Sequence, residues 1–74
     1  MAVLRVLNVN GDERVEWDPA VADDRMRRAR LLFEARLESG WLAYEAGRDG
    51  TGTQLQGFDR EAGEIVLQPP IAGG

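Results

Sequence analysis

Apolar residues crowd the start of the chain, where Val3-Leu4-Arg5-Val6-Leu7-Asn8-Val9 is dense in β-branched and aliphatic side chains and runs into Asn10-Gly11. That dipeptide is a two-residue hairpin signal, so the pattern predicts a strand, a tight turn and a second strand. In the second, Glu13 to Trp17, Val15 and Trp17 alternate with Arg14 and Glu16 at the period of a half-buried strand. The period then changes. Asp18-Pro19 reads as a helix start, with a carboxylate to receive backbone N–H groups and a proline at the first helical position. From Pro19 to Ser39 a helix is expected in which Ala22, Met26, Ala29, Phe33 and Leu37 form one stripe, with Leu32 at its border and charged residues opposite. Leu31 is the exception. Asp23 with Arg27, and Asp24 with Arg28, lie four apart in the favourable acidic-first order. Gly40 suits the left-handed position that follows a helix.

Trp41 to Ala46 reads as a third strand, Gly47 to Gly52 as a glycine-rich loop, and Thr53 to Gln56 as a short edge strand. Phe58 to Gly63 is expected to turn, and Glu64 to Gln68 to form the last strand. Pro69-Pro70 stops further ladder pairing and favours an extended polyproline conformation. This order is α+β: a mixed sheet of four to five strands packed on one long helix. Residues 1–68 form a single domain in this reading, and residues 69–74 a flexible tail. The aromatics Trp17, Phe33, Trp41 and Phe58 are assigned to the core.

Composition narrows the chemistry. At 74 residues there is room for one small domain. With neither Cys nor His, thiol nucleophiles, disulfides and the usual zinc sites are absent. A self-sufficient enzyme is therefore not expected, nor a bound metal or cofactor. The net charge of −4 has the wrong sign for nucleic-acid binding. No stretch resembles a signal peptide or a membrane span, so a cytoplasmic protein is expected, and a monomer because few apolar residues remain beyond those one small core would use. All nine basic residues are arginine. Arg25, Arg27, Arg28 and Arg30 read first as a solvated helix face and second as a docking surface for an acidic partner. Gly47 to Gly52 lacks the Gly-Lys-Ser/Thr of a phosphate loop, and Asp59 with Glu61 needs no more than a polar turn.

Strand, tight turn, strand, helix, strand, short strand, strand and a terminal Gly73-Gly74 together resemble the β-grasp family of ubiquitin and its relatives, over the whole chain. The end, from Gly63 through Gln68-Pro69-Pro70-Ile71-Ala72 to Gly74, is similar to that of the small subunit of molybdopterin synthase, a sulfur carrier. The length and hairpin look equally like bacterial ubiquitin-like proteins encoded beside adenylating and deconjugating enzymes. Tyr44-Glu45-Ala46-Gly47-Arg48 resembles the place where an apolar strand of ubiquitin leaves through Ala-Gly and a basic residue, with Glu45 interrupting the run here.

The resemblance implies that the reactive group is the α-carboxylate of Gly74, adenylated by a ubiquitin-activating-type enzyme using ATP. Gly73 and Ala72 would let the tail thread a narrow channel, and Pro69 and Pro70, with Ile71, would stiffen and dock it. It also implies a partner surface at Leu42, Tyr44, Arg48, Ile65 and Leu67, with a conjugating enzyme and a JAB-type deconjugating protease as further partners. The expected function is a protein modifier transferred to a target amine. The alternatives are a sulfur carrier for molybdopterin or thiamine-type biosynthesis, with a C-terminal thiocarboxylate, and a non-conjugated interaction module with an inert tail. Because there is no lysine, self-linked chains could form only through the α-amine of Met1.

Overall fold

The computed structural model describes residues 1–8, 11–47 and 52–70. Five strands and one helix follow in the order β1 (Ala2–Val6), β2 (Glu13–Trp17), α1 (Asp24–Glu38), β3 (Leu42–Ala46), β4 (Gly52–Leu55) and β5 (Glu64–Gln68). The strands make one mixed sheet in the order β2-β1-β5-β3-β4. Its two central neighbours, β1 and β5, run parallel, and every other pair is antiparallel. The fold is therefore α+β, a five-stranded sheet with a helix on one face.

Alternation decides which side chains meet the helix. Ala2, Leu4 and Val6 of β1, Trp17 of β2, Ala43 of β3, and Ile65 and Leu67 of β5 are all buried on that side. Met26, Ala29 and Phe33 of α1 close over them, and Val15, Leu32, Leu37, Trp41, Leu55 and Phe58 pack around the margin. Trp17 lies at the end of the core, its Nε1–H donating to the carbonyl of Arg60 at 3.0 Å. Phe58 sits between Trp17 and Phe33, tilted to the first and edge-on to the second, with ring centroids 5.3 and 5.8 Å away. The four aromatics thus pack in or against the core.

Two expectations need correction. The helix begins at Asp24 and not at Pro19, and it has 15 residues. Asp18 closes a turn of its own, its Oδ1 accepting the Ala20 N–H at 2.9 Å and its carbonyl the Val21 N–H at 3.0 Å. The working N-cap is the second aspartate. Asp23 has extended backbone, and its Oδ1 accepts the N–H groups of Arg25 and Met26 at 3.0 and 3.2 Å. Ala22, placed on the core stripe by its spacing, is exposed outside the helix. The expected ion pairs are replaced by Asp23 with Arg25 at 3.5 Å and Asp24 with Arg27 at 3.8 Å.

The second correction concerns register. A turn centred on Asn10-Gly11 would set Val6 opposite Val15, whereas Val6 faces Glu13 and Leu4 faces Val15. The Gly11 N–H donates to the Asn8 carbonyl at 3.3 Å, and Gly11 takes a φ of 117° that favours glycine. Asn10 itself lies outside the described residues. A two-residue shift keeps every side chain on its expected face, which is why the core forms as the alternation implies.

Candidate functional site

The base of the tail is built by β5. This strand is central, held by β1 on one side and β3 on the other, and its last residue, Gln68, faces Leu42. The final bond to β1 is donated by Leu7 N–H to Leu67 carbonyl at 3.0 Å. Pro69 and Pro70 follow, both exposed. Neither has an N–H to offer, so pairing stops there for want of a donor.

The helix C-terminus stands beside this exit. Ser39 caps α1, the Gly40 N–H donates to the Leu37 carbonyl and the Trp41 N–H to the Arg36 carbonyl, both at 3.0 Å. This is the six-to-one and five-to-two pairing of a Schellman end, with Gly40 at φ 89° in the left-handed position expected for it. A Cβ placed on Gly40 would lie 4.0 Å from Cβ of Pro70, so the proline pair leaves against this turn. Beside it the Arg36 guanidinium sits 4.8 Å from the centre of the Trp41 ring and 3.9 Å from a Glu13 carboxylate oxygen. The Arg36 Nε is buried and has no hydrogen-bond partner among the described residues. Ile71, Ala72, Gly73 and Gly74 lie outside the described residues.

The sheet face away from the helix has a mixed surface. One row crosses it from Arg14 through Arg5, Val66 and Tyr44 to Gln54. Leu42, Tyr44 and Val66 are half-buried there, and Arg5 pairs with Glu64 at 3.5 Å. Ile65 and Leu67 are not part of it. Both are fully buried beneath the helix, which removes them from any partner surface, and Val66 occupies the place assigned to them. Arg48 lies outside the described residues. Glu45 pairs with Ile65 and Thr53 on the helix side, so it does not interrupt the apolar run of Leu42 and Tyr44 on the outer face.

Val66 was missed because Ile65-Val66-Leu67 is a continuous apolar run with no alternation to say which residues turn inward. The flanking Glu64 and Gln68 carry the usable signal. They share parity with Val66, and polar residues at both ends mark the outward face.

Among the described residues, no helix is long and apolar enough to cross a membrane. Compared with protein-family models, curated proteins and solved structures, the chain matches none.

Proposed function

We propose that the chain is a ubiquitin-like modifier of β-grasp architecture whose Gly74 carboxylate is activated by a partner enzyme and transferred to an amine. The observation that carries this reading is the strand order β2-β1-β5-β3-β4, with the central strand running directly into Pro69-Pro70 and a terminal Gly73-Gly74. A tail whose base is anchored at the middle of a sheet has the domain as a rigid handle. A carboxylate is a poor electrophile at neutral pH. It attacks the α-phosphate of MgATP on the partner, pyrophosphate leaves, and the acyl adenylate formed loses AMP to a thiol and then passes to the amine. The outer face around Leu42, Tyr44 and Val66 is the surface on which the activating enzyme would hold the domain.

A second reading is favoured by one feature, the run Gln68-Pro69-Pro70-Ile71-Ala72-Gly73-Gly74. Here the same adenylate accepts sulfide, AMP leaves, and the thiocarboxylate donates sulfur to a cofactor precursor. Incubation with a ubiquitin-activating-type enzyme and MgATP, with and without sulfide, followed by intact-mass spectrometry, tests both. The modifier reading expects an AMP adduct, then a target adduct that survives reducing agent and is lost on deleting Gly73 and Gly74. Exchange of one oxygen for sulfur with no stable target adduct favours the carrier. An interaction module with an inert tail is the outcome if no adduct of either kind forms and the deletion changes nothing.

A further inference from the structure

On the outward side of α1, two or more turns from the tail exit, a shallow open hollow of about 590 Å³ is lined by Asp24, Arg27, Arg28, Leu31 and Leu32. A smaller one of about 130 Å³ adjoins it across Arg27 and is lined by Ala22, Asp23, Met26, Arg27 and Arg30. Four of the nine arginines fall between Arg25 and Arg30, although the whole chain carries a net charge of −4. Helix stability does not account for this placement. The macrodipole favours cations in the last turn, where Arg36 sits, and disfavours them in the first turns. Arg25 and Arg27 have exposed carboxylate neighbours at 3.5 and 3.8 Å, pairs of a kind that contribute little. Arg28 and Arg30 make no ion pair among the described residues.

An apolar side chain lies beside this charge. Leu31 is 56% exposed, with Arg27 and Arg28 one turn before it on the same face. Guanidinium groups around an uncovered aliphatic side chain match an aliphatic anchor flanked by carboxylates, since Arg pairs with a carboxylate through two parallel hydrogen bonds. A polyphosphate would gain nothing from Leu31 and would be repelled by the rest of the chain.

We infer that the N-terminal half of α1 is a docking surface for an acidic protein segment with an aliphatic anchor, which seats on Leu31 and Leu32 between Arg27 and Arg28. The surface is separate from the tail and from the outer sheet face, so it does not depend on the chemistry of Gly74.

The test is amide chemical-shift mapping of the full chain with a synthetic helical peptide of Glu and Leu, its Gln-for-Glu counterpart, and a Glu peptide without Leu. The expected shifts cluster between Asp24 and Leu32 with the Glu–Leu peptide alone. Binding should weaken about tenfold in Arg27→Glu/Arg28→Glu, and comparably when ionic strength is raised well above the physiological value. Leu31→Ser should weaken it as well, while Arg60→Glu leaves it unchanged and circular dichroism reports all variants folded. Shifts confined to the sheet face, equal binding of the three peptides, or undiminished binding in the double variant would each overturn the inference. So would tighter binding to phosphatidylserine vesicles than to the peptide, or self-association of the chain that the double variant abolishes. None of these readouts requires adenylation, so failure here leaves the proposed function standing, and the reverse also holds.

Discussion

Arg36 shows how much a single side chain can hold together while contributing little net stability. Its guanidinium covers Trp41, reaches toward Glu13 across 3.9 Å and leaves Nε buried with no hydrogen-bond partner among the described residues. A buried, unpaired N–H costs about 1–3 kcal/mol, comparable to what a partly exposed cation–π contact and a long ion pair return. Arg36→Met keeps the aliphatic stem against Trp41 and removes the orphaned donor. Its stability in urea denaturation should be unchanged or higher by up to about 1 kcal/mol. A loss beyond about 2 kcal/mol would show that the Glu13 pair or the Trp41 contact carries far more than its geometry implies. No sequence pattern announced this residue, because an arginine on the border of an amphipathic helix looks the same whether its head is solvated or covered.

At the level of elements, β2 and β5 have the bounds that alternation and composition gave them, although the hairpin turn shifts β2 by two residues against β1, and the other strands differ at their ends. The helix start was harder to read because the sequence holds two capping aspartates, Asp18 and Asp23, and proline follows the wrong one. The structural consequence is specific. Pro19→Ala should leave helix content unchanged, whereas Asp23→Ala should lower it and speed amide exchange at Arg25 and Met26, measured by circular dichroism and hydrogen exchange. The Asp23 carboxyl is held below its ordinary value, first by the hydrogen bond from Met26 N–H, against some desolvation, and also by the neighbouring Arg25 guanidinium. A lowered folded value means that the charged cap stabilises the fold above the unfolded carboxylate value, and that this contribution fades as pH falls through the folded one. Asp23→Asn keeps an accepting oxygen without the charge. Its urea midpoint should lie below that of the wild type near neutrality and converge with it in acid; parallel curves at all pH values would contradict this.

For the whole molecule, the sequence carried the layer arrangement further than the site. The inward face of β2 followed from the alternation of Val15 and Trp17 with Arg14 and Glu16, whereas Ile65 and Leu67 went to the wrong face because three apolar residues in a row lack a period. Another whole-chain property is the absence of lysine. If Gly74 is transferred to amines, no side chain of this sequence can accept it, which leaves an N-terminal α-amine as the acceptor within the chain. Acetylating that amine should therefore abolish self-linked species, seen by mass spectrometry, while leaving adducts to other proteins in place. The parallel pairing of β1 with β5 has a further geometric result. Met1 lies level with Ala62, just ahead of β5, and Pro69 leaves at the other end, about 23 Å away along the strands. Met1 and the base of the tail therefore stand at opposite poles of the sheet. A label or purification handle placed ahead of Met1 would sit at the pole away from Pro69 and Pro70.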